Sequence, residues 1–397
     1  LINLKSTKVQ ESLSDLSSYS QESFSGISIL KSFNLQRKIF DKFDNFAMSS
    51  YRNNLSLAKI QAWFFPIILF LIGLSNLIVI YIGGREFING NIEIGVIAEF
   101  IIYVNMLTWP VTLVGWVTSI VKQAEASQKR INEFLDSRSS LEDGHLSIKD
   151  RNSKNIIFKN VTFTYQRTGI KVFDSFNLEI EEGKTLGIIG KVGSGKTTLL
   201  DLLSRVYDPE KGSILYNNKD IRSFKMNNLR GLFSYVPQNN FLFSDSIYKN
   251  IQFGNPDAKN EQVQKAAKLS EIDSEIDKFE KGYRTILGER GITLSGGQIQ
   301  RISIARSLIK DSALYLFDDC FSSLDTDTEE RLINNLKNRL KNKSVVIVSH
   351  RVSCIKHSDK IIVLENGKII QEGTHKNLIN IDGYYKELYN KQNSEIT

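Results

Sequence analysis

Apolar and polar positions alternate differently along three parts of the 397-residue chain. Residues 5–60 are polar but keep a helical rhythm. They contain no proline and only Gly26 as a breaker, which predicts long helices in an aqueous compartment. From Ala62 to Ile82 no residue is charged, a stretch of about 20 residues and so about the length that crosses a bilayer core. Its proline, Pro66, lies near the start, where a membrane helix tolerates one. A second apolar run, Ile94 to Val121, is broken only by Glu99 and Pro110. A long buried helix competes for this run, but its pairing with the first across a short loop favours a membrane hairpin.

Charge placement supports that hairpin. The loop 83–93 sets Arg85 against Glu86 and Glu93, while the outer flanks carry Arg52, Lys59, Lys122, Lys129 and Arg130. Both long flanks are then cytoplasmic by the positive-inside rule. Glu99 falls near the outer end of its helix, where interface placement is favoured over a substrate or ion role.

Residues 133–155 are polar and uneven and read as a linker, with the domain boundaries expected at 1–140, 141–155 and 156–397. After Ile156 the chain becomes α/β. Short β-rich runs occupy Ile156–Tyr165, Thr185–Ile189, Leu232–Val236, Ala313–Phe317 and Ser344–Val348. Amphipathic stretches at Glu261–Phe279 and Gln298–Ile309 predict helices, and Asn366-Gly367 predicts a two-residue hairpin.

Composition narrows the classes. Hydrophobic residues are 41% and charged residues 24%, which excludes a disordered acidic chain. Mean hydropathy of −0.21 argues against a mostly embedded chain but allows a few spans joined to a large soluble part. Two cysteines, Cys320 and Cys354, do not make a disulfide scaffold. The net charge of +7 is spread over the chain and forms no groove for nucleic acid, so no nucleic-acid partner is expected.

Three anchors carry chemistry. Gly190-Lys191-Val192-Gly193-Ser194-Gly195-Lys196-Thr197-Thr198 follows an apolar run and opens a helix-like segment. In that setting glycines turn backbone amides towards phosphate oxygens, and a helix N-terminus faces the anion. Lys196 would reach the β- and γ-phosphates, and Thr197 would offer its hydroxyl to Mg²⁺. Ala313–Phe317 is an apolar strand from whose C-terminal end Asp318 and Asp319 emerge, suited to the Mg²⁺ shell and to water activation. Leu294-Ser295-Gly296-Gly297-Gln298 precedes an amphipathic helix, with Ser295 and Gln298 spaced as a capping box. A second phosphate-seeking helix end in one domain makes sense if it serves another molecule's nucleotide.

With this third anchor the sequence resembles the ATP-binding cassette (ABC) family, whose signature is LSGGQ. The resemblance covers essentially the whole chain. It implies an α/β P-loop ATPase domain with a helical subdomain, following the last two helices of a type IV exporter membrane domain (spans about 62–82 and 94–121). It implies ATP and Mg²⁺ as ligands, with two cassettes closing head to tail so that Ser295, Gly296, Gly297 and Gln298 complete the partner's site. Tyr165 would stack on adenine; Gly190, Gly193, Ser194, Gly195, Lys196, Thr197 and Thr198 would hold phosphate. Thr197, Gln238 and Asp318 would hold the metal, and Asp319, Gln238 and His350 would be catalytic. Ser323-Leu324-Asp325 matches the loop joining the two cassettes, Ser23–Phe33 resembles a loop bearing the second coupling helix, and Gly288-Glu289-Arg290-Gly291 resembles a segment that contacts coupling helices.

Two departures qualify the resemblance. The type IV half needs six helices and this chain supplies two and part of another, so with Leu1 in place of Met it reads as a fragment. The family's glutamate after the metal aspartate is Asp319 here. Both facts enter the expected function: ATP-driven export of an unidentified substrate across a bilayer by a multi-pass membrane protein, its cassette cytoplasmic. It would pair as the aspartate-bearing half of a heterodimer, with a homodimer as the alternative. A soluble signature-bearing ATPase of the chromosome-maintenance or translation-factor kind competes, but would predict long coiled coils or two cassettes.

Overall fold

The structure, a computed structural model, describes residues 2–137, 139, 141–148, 154–288 and 294–394. The chain divides into two compact units, Leu1–Arg138 and Ser139–Thr397.

The first unit is helical: α1 (Ile2–Ser25), α2 (Ile27–Ser32), α3 (Gln36–Ile88) and α4 (Ile94–Leu135). The breaks fall at Gly26 and at Asn34, whose φ of 53° no helix accommodates. α1 packs along α3, with the rings of Tyr19 and Phe46 5.2 Å apart. Polar and apolar sequence is not divided between separate helices. α3 runs unbroken for 53 residues through Pro66, a length of about 80 Å at about 1.5 Å per residue. Along its apolar part Trp63, Phe65, Phe70, Leu77 and Tyr81 are all exposed. A water-soluble helix would bury such a belt, whereas lipid would cover it. Among the described residues, α3 is the one helix long and apolar enough to cross a membrane by length and composition, and Ile94–Leu107 is a shorter apolar helical stretch.

The second unit is built on two sheets. In chain order its elements are β1 (Ile156–Tyr165), β2 (Ile170–Ile180), β3 (Thr185–Gly190), α5 (Lys196–Leu203), β4 (Lys211–Tyr216), β5 (Lys219–Asp220), α6 (Met226–Gly231), β6 (Phe233–Val236), α7 (Ile247–Gln252), α8 (Asn260–Leu269), α9 (Asp273–Ile276), α10 (Gly296–Leu308), β7 (Leu314–Asp318), α11 (Thr326–Arg339), β8 (Ser344–Val348), α12 (Val352–Ile355), β9 (Lys360–Glu365), β10 (Lys368–Gly373), α13 (His375–Leu378) and α14 (Tyr384–Ser394). A four-stranded antiparallel sheet has the order β2-β1-β4-β5. A six-stranded sheet has the order β10-β9-β3-β8-β7-β6, parallel except for the edge strand β10.

Successive residues of a strand face opposite sides, and both faces of the larger sheet are covered. Ile188, Leu314 and Leu316 join one core with Phe158, Phe173 and Leu199. Their neighbours Ile189, Tyr315 and Phe317 join the other with Phe321, Leu332 and Tyr385. A third core, with Leu242, Ile251, Val263 and Ile302, supports the helical subdomain α7–α10. The Asn366-Gly367 turn is a hairpin with φ of 48° and 72°. The stretch 261–279 is two helices rather than one, because Glu271 takes φ 60° between α8 and α9.

The expected linker 141–155 is not free chain where it is described. The buried Arg205 donates to the Glu142 carbonyl at 2.7 Å, and Asp143 accepts from the Met226 amide at 2.6 Å. His145 and Leu146 amides donate to Ser223 O, and Leu146 forms a parallel bridge with Phe224.

Candidate active site

The parallel strands β3, β8 and β7 are adjacent, so the turns leaving their C-terminal ends crowd into one region. β3 delivers the glycine-rich loop. A Cβ on Gly190 would stand 2.1 Å from the Leu364 carbonyl, so the strand can pass β9 there only without a side chain. Gly195 holds φ 101° as the N-cap of α5, a left-handed conformation that aims the first helical amides outward. Gly193 is left-handed as well, with φ 81°. Lys196 Nζ folds back onto the carbonyls of Gly190 (2.9 Å) and Lys191 (2.8 Å). Ser194 Oγ is buried without a hydrogen-bond partner. A concave loop of amides, a buried lysine and an orphaned hydroxyl fit an anionic group such as phosphate.

β7 delivers Asp318, which is fully buried. Tyr235 Oη donates to it at 3.3 Å, and the Thr197 hydroxyl lies near enough to favour its charged form. Burial nevertheless raises the Asp318 carboxyl above the usual carboxylate range, against the lowering effect of those bonds and Lys196. A carboxylate and a neighbouring hydroxyl are the hard oxygen donors that Mg²⁺ takes, so the donor set fits that ion. Asp201, on α5, is pushed up to about 6 by burial and by the charge of Asp318.

Asp319 follows with φ 45°, its amide bonded to Val348 O at 2.9 Å and its Oδ1 accepting from the His350 amide at 3.4 Å. β8 delivers His350. Burial lowers its imidazole pKa, helped by Lys196 and opposed by Asp319 and Asp318. Lys196 is itself lowered by burial and raised by the same two acids. One lysine, two carboxyls and an imidazole thus share one electrostatic neighbourhood.

The remaining candidates lie around this centre. Tyr165 Oη shares a hydrogen bond with Thr198 Oγ1 at 2.9 Å, and its ring meets Phe163 and Tyr207 edge-on. Gln238 is exposed just beyond β6. Ser295 and Gln298 form the reciprocal capping box at the start of α10. Among the described residues no hydrogen bond joins Ser295–Gln298 to Lys196, Asp318 or His350. Instead Gly297 packs against Ser323, whose amide donates to Gln300 at 3.0 Å. Residues 289–291 of the Gly288–Gly291 segment lie outside the described residues.

Sequence reading missed Tyr235 and Asp201, which stand behind Asp318, and Arg351, which binds Ser322 O, Leu324 O and the buried Glu329. No local pattern marks any of them.

Comparison with known proteins gives two family matches: "ABC transporter" over residues 173–322 and "ABC transporter transmembrane region" over residues 2–111. The multidrug resistance-like ATP-binding protein MdlA of Buchnera aphidicola subsp. Schizaphis graminum is 38% identical over 96% of this chain and 66% of its own length. The probable multidrug resistance ABC transporter YheI of Bacillus subtilis is 32% identical over 98% and 67%. The ATP-dependent lipid A-core flippase of Desulfotalea psychrophila is 34% identical over 98% and 68%. The chain therefore spans about two thirds of the length of the curated relatives it matches. A solved bacterial Atm1-family ABC exporter with ATP bound superposes with a TM-score of 0.89 at 27% identity, over 98% of this chain and 69% of that one.

Proposed function

From the premise that the chain belongs to the ABC transporter family, we propose that it acts in one half of an ATP-driven exporter in a membrane, with its ATPase domain on the cytoplasmic side. The observation that carries this is the convergence of Lys196, Thr197, Asp318, Asp319 and His350 at the ends of three adjacent strands, beside an orphaned Ser194 hydroxyl. The transmembrane-region match over residues 2–111 and the exposed apolar belt of α3 favour an exporter over a soluble ATPase.

In this reading Tyr165 stacks on adenine, and the loop amides, Ser194 and Lys196 bind phosphates. Thr197, Asp318 and Gln238 hold Mg²⁺, which when bound offsets phosphate charge. Lys196 leaves its own loop carbonyls for the nucleotide. His350, kept neutral by burial and by Lys196, presents an imidazole able to hydrogen-bond a phosphate oxygen. Ser295, Gly296, Gly297 and Gln298 complete the site of a second cassette, which fits the absence, among the described residues, of a hydrogen bond from them to Lys196, Asp318 or His350.

Asp319 gives the reading its finer form. Aspartate and glutamate have similar intrinsic pKa values, so basicity is not lost. Reach is, by one methylene or about 1.5 Å, and Asp319 Oδ1 is already turned to the His350 amide. We assign this chain to the half whose site turns over slowly, paired with a different, glutamate-bearing half; its intact capping-box helix serves the partner's site. The test is reconstitution of the full-length protein alone and with candidate partner halves. Vigorous transport-coupled ATPase from the protein alone, abolished by Asp319→Asn, would overturn the heterodimer. Nucleotide binding unaffected by Lys196→Ala would overturn the site.

A further inference from the structure

We infer that Gln392, near the end of α14, is a positioning residue for His350, and that α14 thereby belongs to the catalytic scaffold. The sheet secures the chain as far as Ser349, whose amide donates to Ile188 O at 3.1 Å. Beyond it the backbone leaves β8 and has no ladder partner until α12 begins at Val352. Two backbone groups of that turn need outside partners: the His350 carbonyl and the Val352 amide, which is the first of a helix and so has no intrahelical acceptor. One side chain serves both. Gln392 Nε2 donates to His350 O at 2.8 Å, and Gln392 Oε1 accepts from Val352 N at 2.9 Å.

Among side chains a carboxamide carries this donor and acceptor pair in one plane, and glutamine supplies it at longer reach than asparagine. The bonds span 42 and 40 residues, so they tie a distant helix to the turn rather than closing a local loop. α14 is itself fixed, through the fully buried Tyr385, whose Oη lies 2.8 Å from His375 Nδ1. The opposite side of the turn is held by Arg351, which donates to Ser322 O, Leu324 O and the buried Glu329, while Ser353 also donates to Glu329. The direct bond between His350 and Asp319 is the long one, at 3.4 Å. The backbone carrying the imidazole is therefore set by Gln392 on one side and by the loop 322–325 on the other.

The inference rests on the reading of His350 as an active group, and the experiment separates the two. In the full-length assembled transporter, 8-azido-ATP labelled at the α- or γ-phosphate is photo-crosslinked after timed turnover. Loss of γ-label relative to α-label on this chain reports cleavage at its own site, whichever half it pairs with. Gln392→Met keeps the length and removes both bonds; Gln392→Glu keeps the acceptor for Val352. Gln392→Met should slow cleavage by about three- to tenfold, the scale of one or two lost hydrogen bonds, with nucleotide KM unchanged. Gln392→Glu should lie between it and the parent. In a His350→Ala background Gln392→Met should have no further effect, because there is no imidazole left to position. Normal cleavage in Gln392→Met, or an equal loss with and without His350, would overturn the inference while leaving the site intact. Normal cleavage in His350→Ala alone would overturn the reading of the site and the inference with it.

Discussion

The amide of His350 donates to Oδ1 of Asp319 at 3.4 Å, so the acid that follows the metal-binding candidate Asp318 faces the turn after β8. On the proposed reading, this side chain is one methylene too short to reach a water beside a phosphate. Lengthening it is the direct test. Asp319→Glu should raise cleavage at this chain's site, by up to about a hundredfold if reach alone limits it. The single-site photolabelling assay checks this, and no gain would place the limit elsewhere.

Adenine contact should depend on the Tyr165 ring more than on its hydroxyl, which already bonds Thr198. Tyr165→Ala should weaken ATP binding by about tenfold, the scale of one base stack. Tyr165→Phe should change it by no more than about threefold, the value of one exchanged hydrogen bond. Calorimetric titration of both variants decides the order, and equal losses would contradict it.

Burial, reinforced by Asp318, pushes the Asp201 carboxyl up to about 6. An unfolded aspartate titrates near ~3.9. Between these values the folded chain keeps a proton that the unfolded chain has released. Its contribution to stability is thus complete below about pH 4 and lost as pH rises towards about 6. Asp318 shifts in the same direction from burial. Asp201→Asn should therefore flatten, without abolishing, the fall in Tm of nucleotide-free protein across that window. A parent-like slope would show that Asp201 ionises normally.

Space at Gly190 sets a stability test. A methyl there would meet the Leu364 carbonyl at 2.1 Å, and backbone cannot yield as a side-chain tip can. Gly190→Ala should cost about 1–3 kcal/mol, the range for overpacked cores, and lower Tm measurably. An unaltered melting curve would mean that β3 and β9 can separate without penalty.

How far the sequence could be read depended on how local each signal was. Ile156–Tyr165 and Ser344–Val348 are strands with the expected bounds, because apolar runs between turn residues have few other uses. The box of Ser295 and Gln298 was equally visible, both partners lying within one turn. β2 and β4, which flank β1, had no such signature: Ile170–Ile180 and Lys211–Tyr216 mix charged and apolar residues and depend on pairing across the sheet. Tyr235 and Asp201 matter through Asp318, which is more than 80 positions away. Gln392 is one polar residue among many on α14, and its use appears only when the turn at 350–352 is seen to lack partners.

The docking of Glu142 to Leu146 decides where tension enters the second unit. A pull on the chain from its N-terminal side meets the bonds to Arg205, Ser223 and Met226 before it can reach β1. Leu146 forms a parallel bridge with Phe224 and its carbonyl accepts from the Lys225 amide, so the segment is held by several bonds rather than one. Strand β1, woven into the core, is sheltered. One of these anchors is Arg205, two residues beyond the end of α5, the helix whose first residue is Lys196; the others lie at Ser223 and Met226. Traction on residues 142–146 would thus be shared between the C-terminal end of the helix that carries Lys196 and the turn at 223–226 before α6.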